Sequence, residues 1–203
     1  MKNYSAEHMF KGERNPFKVF LNWLDEASRM ELNDPDAIAL ATVDQSGLPN
    51  VRMVLLRKIE RDSFIFFTNY GSKKSNELKS GKAAFVCHWK SIRRQVRVRG
   101  VIEKEDTVIA DDYFASRSEG SKLGAWASKQ SAILEDKQLL FDRIESIKEK
   151  YGAAPPRPKF WGGFRLKPLE IEFWQDGEHR LHDRFLWRRK ELSEAWIISR
   201  LYP

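Results

Sequence analysis

Cysteine, histidine and long apolar runs are scarce in this chain. Its 203 residues include one cysteine and four histidines. A single cysteine cannot form an internal disulfide, and the apolar run that ends at Cys87 predicts a buried, reduced thiol of the kind found in a reducing cytoplasm. Zinc sites need three or four convergent ligands, so the few histidines, His179 and His182 included, favour no metal site.

The apolar stretches are also too short to span a bilayer, and residues 1–8 lack the apolar core of a secretory signal. We therefore expect a cytoplasmic protein with no membrane partner. The formal net charge of +7, from 36 Lys and Arg against 29 Asp and Glu, indicates an anionic partner. Charge alone does not choose among nucleic acid, an acidic membrane surface and a small phosphorylated molecule.

Length and hydrophobic content favour one domain over two. A chain of 203 residues with 41% hydrophobic content can build one substantial core. We predict a single domain over residues 1–203, in which residues 1–14 form a mobile N-terminal segment. Seven Trp and thirteen Phe supply rings for the core or for stacking on a flat ligand.

Short strands with helices inserted among them dominate the predicted secondary structure. Asn15 as N-cap and Pro16 as the first helical residue begin an amphipathic helix that ends near Met30. Further helices are predicted at residues 73–79, 106–117 and 140–151. Strands are predicted at residues 37–43, 51–57, 64–68, 83–89, 95–103, 164–166, 169–174, 180–187 and 195–199, with Asp176 and Gly177 as a hairpin turn. This order predicts a mainly β fold, a mostly antiparallel barrel with inserted helices.

The most unusual segment is residues 171–184, which packs aromatic, turn, basic and imidazole side chains into one hairpin-sized stretch. In the predicted strand, Arg180, His182 and Arg184 share one face at period two. Because three such side chains repel one another, they indicate an anion or a developing negative charge between them.

This segment resembles the C-terminal signature of the pyridoxamine/pyridoxine 5′-phosphate oxidase family. Residues 52–56, 67–69, 71–74, 94–96, 124–131 and 160–165 resemble further blocks of that family, in the same order. The resemblance implies an FMN-binding split barrel with a Greek-key-like antiparallel arrangement. It also implies a homodimer in which each flavin lies in a cleft lined by both chains.

The resemblance further implies an activity. A hydride would pass from the 4′ carbon of pyridoxamine or pyridoxine 5′-phosphate to FMN, and dioxygen would reoxidise the flavin to give hydrogen peroxide. The product is pyridoxal 5′-phosphate, and the amine substrate also releases ammonia. Such an oxidase would serve vitamin B6 biosynthesis and salvage.

Site residues follow from the matching positions. Predicted FMN contacts are Arg52, Met53, Val54, Leu55, Leu56, Arg57, Phe67, Thr68, Lys73, Lys74, Gln95, Gln130, Ser131, Trp174 and Arg184. Where the family has Lys, Tyr and Arg, this chain has Arg57, Phe67 and Lys73. Arg57 and Lys73 keep the positive charge but present their N–H donors to a phosphate with a different geometry. Phe67 lacks the hydroxyl of the tyrosine.

A second group would bind the substrate. Tyr113 and Arg117 lie four residues apart on one face of a predicted helix, and Ser121 begins the next segment. By resemblance these three, with Arg57, hold the substrate phosphate, while Arg180, Leu181 and His182 contact its ring. Arg180 and His182 would be catalytic, the first stabilising negative charge on ring oxygens and the second positioning the ring or relaying a proton.

Each of these groups also has a simpler, structural interpretation. Lys and Arg are common as solvated surface residues, and Trp174 could be an ordinary residue of the core. Another split-barrel flavoprotein, a reductase with a different electron donor or acceptor, is an alternative function. A basic nucleic-acid-binding protein is a weaker one, built on Arg93, Arg94, Arg97 and Arg99 along one strand.

Overall fold

The computed structural model describes residue 10 and residues 12–105 and 107–203, and these contain five α-helices and eight β-strands. The helices are α1 (Pro16–Met30), α2 (Lys73–Glu77), α3 (Val108–Ser116), α4 (Glu119–Ala127) and α5 (Lys137–Tyr151). The strands are β1 (Ala37–Val43), β2 (Pro49–Glu60), β3 (Ser63–Asn69), β4 (Lys82–Trp89), β5 (Arg94–Glu105), β6 (Trp161–Gln175), β7 (Asp183–Arg188) and β8 (Ile197–Arg200). Short 3-10 turns span Leu78–Ser80 and Glu178–Arg180.

Six of the strands close into an antiparallel barrel. Their order is β3-β2-β1-β4-β5-β6, and β6 pairs back with β3. The neighbours β3, β2, β1 and β4 form a Greek key, because β4 returns to lie beside the first strand. Strands β7 and β8 continue the sheet outward from β6. The predicted antiparallel barrel with inserted helices is therefore confirmed.

Helix α1 begins and ends where the sequence predicts. The Asn15 side chain accepts a hydrogen bond from the Phe17 backbone N–H at 2.9 Å, and Pro16 occupies the first turn. Its buried aromatic side chains pack on rings from the barrel, with Phe20 5.0 Å from Phe64 and Trp23 5.1 Å from Phe173 between ring centroids. The helix thus covers the sheet and completes the core.

Cys87 lies in that core, as predicted. The thiol is buried on β4, and burial raises its pKa to about 12. Phe10 is also buried, with its ring 4.9 Å from that of Trp187. Residues 1–9 and 11 of the predicted mobile segment lie outside the described residues.

The prediction of two strands at residues 164–166 and 169–174 is wrong, because β6 runs without interruption from Trp161 to Gln175. Pro168 suggested a break, since it lacks a backbone N–H. It is accommodated by a register shift opposite Gly100, where an added Cβ would lie 2.1 Å from the Lys167 carbonyl oxygen. The first half of β6 pairs with β3 and the second half with β7.

The segment between β5 and β6 holds three helices, one of which the sequence did not predict. Helix α3 starts at Val108 with Thr107 as its N-cap, so the predicted start at Asp106 lies outside the described residues. Helix α4 follows after Arg117 and Ser118. Its short length and two glycines, Gly120 and Gly124, give a weak periodic signal.

The barrel opens between two strands. Strand β2 pairs with β1 from Pro49 to Leu55, and it pairs with β3 from Leu56 to Glu60. On one side β3 pairs with β2 only from Ser63 to Phe66, whereas on its other side Phe64 to Asn69 pair with β6. Residues 52–55 therefore face a gap in the barrel wall, in agreement with the split barrel that the resemblance implies.

Candidate active site

A cavity of about 730 Å³ lies at this split. One wall comes from β2, another from the end of β3 with Lys74 behind it, and a third from α3, α4 and the residues that follow them. Twelve of the predicted site residues line it: Arg52, Met53, Val54, Leu55, Arg57, Phe67, Thr68, Lys74, Tyr113, Arg117, Ser121 and Gln130. Segments as far apart as β2 and α4 thus meet around one space.

The charges on the cavity wall have one sign. Four lining side chains are cationic, namely Arg52, Arg57, Lys74 and Arg117, and no Asp or Glu of the described residues lines the cavity. Like charges that converge on one cavity attract anions, even where two of them, Arg52 and Arg57, also pair with carboxylates outside the lining. The four cations fall into two neighbouring pairs, Lys74 with Arg52 and Arg117 with Arg57.

Lys74 lies buried at one end of the cavity among neutral oxygens. Its Nζ donates to Gln130 Oε1 at 2.8 Å and to Thr68 Oγ1 at 3.2 Å. Burial lowers the pKa of this ammonium, and the charge of Arg52 lowers it further. The negative charge of Glu77 raises the pKa of Lys74, although the two side chains are not in direct contact. An anion beside Lys74 would offset this desolvation.

Arg52 is fixed in place from behind. Its guanidinium donates to the Leu40 carbonyl at 3.2 Å and to Glu77 Oε2 at 2.8 Å, and Thr42 Oγ1 is a third partner. These contacts leave further guanidinium N–H groups for a ligand in the cavity. Burial raises the pKa of Glu77, but hydrogen bonds from Thr42, Asn50 and Arg52 outweigh it, so its pKa lies below the ordinary value.

Arg117 forms the second pair with Arg57, and its guanidinium carries a donor without a partner. Its Nη1 is buried and has no hydrogen-bond partner among the described residues. The guanidinium stacks 5.0 Å from the Trp161 ring, and burial lowers its pKa, as does the charge of Arg57. A buried donor without a partner costs stability unless a water or a ligand accepts its hydrogen bond, so Nη1 is open to an acceptor in the cavity.

Arg57 reaches the cavity from a β-bulge. The pairing of β2 with β3 shifts register between Leu56 and Lys58, which leaves Arg57 as the extra residue. Such a bulge re-aims a side chain, and Arg57 both lines the cavity and pairs with Asp36 Oδ2 at 2.6 Å. Lys58 instead pairs with Glu60 at 3.1 Å.

Three aromatic rings form a stacked wall beside Arg117. Phe67 stacks on Tyr113 with centroids 4.3 Å apart and on Trp161 with centroids 5.6 Å apart. The ring of Phe67 thus forms part of an apolar surface on the cavity wall. Trp161 was not among the predicted site residues, although it lies in the family block at 160–165.

The remaining predicted residues lie elsewhere in the chain. Leu56 is buried in the core. Lys73 and Ser131 line a neighbouring cavity of about 630 Å³ rather than the first one. Six further predicted residues, one on β5 and five in the segment from β6 to β7, do not line the main cavity: Gln95, Trp174, Arg180, Leu181, His182 and Arg184.

Those residues lie instead where β5 and β7 begin and β6 ends. Gln95 pairs with Trp174, and Trp174 pairs with Arg184. The Trp174 and His182 rings lie 4.6 Å apart. Arg184 Nε donates to the buried Glu172 at 2.9 Å, a contact that the sequence did not reveal.

The predicted strand at residues 180–187 starts too early. Strand β7 begins at Asp183, and Arg180 lies in a 3-10 turn with a φ of 65°. The single face proposed for Arg180, His182 and Arg184 is therefore wrong, because period-two alternation holds only within a strand. Asp176 and Gly177 do begin the turn, which extends to His182.

The arginines that suggested nucleic-acid binding are paired with carboxylates. Arg93 pairs with Asp176 and Arg97 with Glu172, while Arg94 Nη1 lies 2.6 Å from Glu26 and Arg99 Nη1 lies 3.6 Å from Glu170. Paired cations gain little from a phosphate backbone, since an existing partner must be displaced. This arrangement disfavours that alternative.

Comparison with known proteins identifies the family. Residues 24–151 match the family model described as pyridoxamine 5′-phosphate oxidase. Residues 161–203 match the model described as the pyridoxine 5′-phosphate oxidase C-terminal dimerisation region. The chain belongs to the pyridoxamine 5′-phosphate oxidase family.

Curated relatives and solved structures agree with this family. A pyridoxine/pyridoxamine 5′-phosphate oxidase of Cereibacter sphaeroides is 59% identical, covering 96% of this chain and 98% of that protein. The enzyme of the same name from Brucella abortus is 52% identical, covering 100% and 99%. The crystal structure of PhzG from Burkholderia lata, in complex with tetrahydrophenazine-1-carboxylic acid, superposes with a TM-score of 0.89 at 28% identity, covering 100% and 99%.

Membership of the pyridoxamine 5′-phosphate oxidase family confirms the predictions of family, enzyme class and split-barrel fold. In the described part of the chain, no helix is long and apolar enough to cross a membrane. No three His, Cys, Asp or Glu side chains converge as metal ligands within that part either. The cytoplasmic location and the lack of a metal site stay predictions.

Proposed function

We propose that this chain is an FMN-dependent oxidase that converts pyridoxamine 5′-phosphate or pyridoxine 5′-phosphate to pyridoxal 5′-phosphate. The observation that carries the proposal is a cavity with two pairs of cations and no carboxylate on its described wall. Two such pairs suit a phosphorylated cofactor and a phosphorylated substrate. The names of the curated relatives support the same substrate class.

The end of the cavity around Lys74 fits the phosphate of FMN. Lys74 is a buried cation whose direct hydrogen-bond partners are all neutral, so a dianion there would supply the missing charge. Arg52 and the amide nitrogen of Gln130 would add donors around it, with Arg52 held by Glu77 and the Gln130 oxygen held by Thr68. When bound, FMN would accept the hydride and pass the electrons to dioxygen, which becomes hydrogen peroxide.

The other end fits the substrate phosphate. Arg117 Nη1 is a buried donor without a partner among the described residues, and Arg57, Tyr113 and Ser121 line the wall around it. A phosphate oxygen would take up that donor in a charge-assisted hydrogen bond. The stacked rings of Phe67, Tyr113 and Trp161 form an apolar side that excludes water from the bound phosphate.

The catalytic residues would come from a second copy of the chain. Arg180 and His182 lie away from the cavity of their own chain, in the segment that matches a dimerisation region. In a homodimer, a twofold axis would bring this segment of each copy to the cavity of the other. Arg180 would stabilise negative charge on the ring oxygens, and His182 would orient the ring or carry a proton.

Aerobic turnover of pyridoxamine 5′-phosphate by the FMN-loaded protein tests the function. We expect pyridoxal 5′-phosphate, ammonia and hydrogen peroxide in equal amounts. A yellow protein that makes no peroxide from this substrate would contradict the proposal and favour the reductase alternative. A colourless protein that takes up no FMN would contradict the cofactor assignment.

Mixing two impaired variants, assayed at a substrate concentration well below the wild-type KM, tests the shared site. In Arg117→Ala and Arg180→Ala homodimers every site lacks one arginine. After subunit exchange at equal amounts, half of the dimers are mixed and one site in each of those is intact. Activity should therefore recover to roughly one quarter of the wild-type value. A mixture no more active than its parents would show that both arginines act within one chain.

A further inference from the structure

Asp176 and His182 of the turn between β6 and β7 form an Arg–Asp–His chain with Arg93, the residue before β5, and neither Arg93 nor Asp176 has a part in the site described so far. Asp176 Oδ1 lies 3.2 Å from His182 Nδ1, and its other oxygen pairs with Arg93. The Asp176 backbone N–H also donates to the Arg93 carbonyl at 3.1 Å. The carboxylate is therefore held by Arg93, and one of its oxygens lies within ion-pair distance of the imidazole.

The turn that brings Asp176 to His182 is tightly built. An added Cβ on Gly177 would lie 2.2 Å from the Leu181 carbonyl oxygen, and His179 and Arg180 adopt left-handed backbone conformations. Asp176 and His182 are both largely shielded, with side-chain exposures of 18% and 21%. A compact turn of this kind fixes the separation of the two side chains.

His182 Nδ1 has two neighbours that it cannot satisfy at once. The Gly177 backbone N–H donates to Nδ1 at 3.2 Å, which requires a lone pair there, whereas a hydrogen bond to Asp176 requires a hydrogen on Nδ1. The bond to a carboxylate is charge-assisted and roughly twice as strong as a neutral one. Asp176 therefore favours the tautomer with its hydrogen on Nδ1.

That tautomer leaves a lone pair on Nε2. Among the described residues Nε2 has no hydrogen-bond partner, since the contacts of His182 involve Nδ1 and the ring face against Trp174. The free edge of the imidazole is thus a proton acceptor.

We propose that Asp176, oriented by Arg93, is a positioning residue that holds His182 with its hydrogen on Nδ1 and its lone pair on Nε2. The consequence for catalysis rests on the proposed function, in which His182 meets the substrate. The effect on the tautomer does not, because it arises within one chain. Two experiments therefore separate the two claims.

The first experiment reads the tautomer by ¹⁵N NMR of the imidazoles, with His182 assigned by the signal lost in His182→Gln. In the wild-type protein at alkaline pH we expect the hydrogen on Nδ1. In Asp176→Ala the Gly177 N–H is the remaining partner, so the hydrogen should move to Nε2. Glu170→Ala, which removes a β6 carboxylate paired with Arg99, is the charge-matched control and should resemble wild type. An unchanged tautomer in Asp176→Ala would overturn the proposal.

The second experiment measures turnover of pyridoxamine 5′-phosphate. Asp176→Ala should lower kcat about 10-fold with KM changed less than about twofold, and His182→Gln should lower kcat roughly 100-fold. The double variant should be no slower than His182→Gln alone, because Asp176 acts through the imidazole. Losses that multiply in the double variant would overturn the proposal.

The NMR and turnover results together also distinguish a failure of this proposal from a failure of the proposed function. Absence of turnover in the wild-type protein would refute the oxidase, and the NMR result would still decide the role of Asp176. If Asp176→Ala unfolds, Asp176→Asn serves instead. It keeps the shape and removes the charge, so a mixture of both tautomers is expected, and a wild-type spectrum would count against the proposal.

Discussion

Replacing Arg117 with methionine should weaken substrate binding without weakening the fold. The guanidinium Nη1 is buried without a hydrogen-bond partner among the described residues, and the side chain packs on Trp161. Methionine has a similar length and can cover the same ring, but it offers phosphate no donor. Stability and function should therefore respond in opposite directions.

The magnitudes follow from the two roles of the guanidinium. A lost charge-assisted hydrogen bond to phosphate costs about 1.5–3 kcal/mol, which corresponds to a roughly 10- to 100-fold higher KM. Relief of the buried donor gains about 1–3 kcal/mol, and loss of the cation–π contact costs about 0.5–2 kcal/mol. The free energy of unfolding of the ligand-free protein should thus stay constant or rise by about 1 kcal/mol.

Arg165 provides the matched control, because it is a buried arginine with partners. Its Nε donates to Glu105 at 2.8 Å, and its Nη2 lies 3.2 Å from Glu60 Oε1. Arg165→Met leaves those carboxylates without their cation and should cost about 3–5 kcal/mol. Urea unfolding in phosphate-free buffer measures both variants.

Steady-state kinetics and thermal shifts complete the assay. Inorganic phosphate should raise the Tm of the wild-type protein more than that of Arg117→Met, since only the former keeps the donor. The reasoning is refuted if Arg117→Met loses as much stability as Arg165→Met, or if its KM is unchanged.

Two further predictions concern pH and packing. The pKa of Glu77 lies below its ordinary value of 4.5, so its contribution to stability is complete above pH 4.5 and is lost as the pH falls through the lower folded-state pKa. Glu77→Gln should therefore lose less stability than wild type on acidification, as measured by urea unfolding at a series of pH values. Gly100→Ala would place a Cβ 2.1 Å from the Lys167 carbonyl and should cost about 2 kcal/mol or more, whereas Gly120→Ala in α4, with nothing within 4 Å, should be neutral or stabilising in the same assay.

Many site residues could be found from the sequence because their positions match a family pattern, but their grouping could not. The pattern put Arg52 and Lys74 among the cofactor contacts and Arg117 among the substrate contacts, and the structure brings all three to one cavity. It could not indicate that Glu77 holds Arg52, or that Glu172 holds Arg184, since each pair is far apart in the chain. Contacts of this kind depend on strand register and not on local spacing.

Local chemistry in the sequence determined the helix at Pro16–Met30, the buried Cys87 and the antiparallel character of the sheet. Caps, apolar periodicity and turn residues act over a few positions, so they can be recognised in one chain. Tertiary structure alone decided that β6 continues through Pro168, that the barrel opens between β2 and β3, and that Arg180 leaves the strand. Those outcomes depend on which strand lies opposite, because a bulge or a gap is a property of a pair of strands.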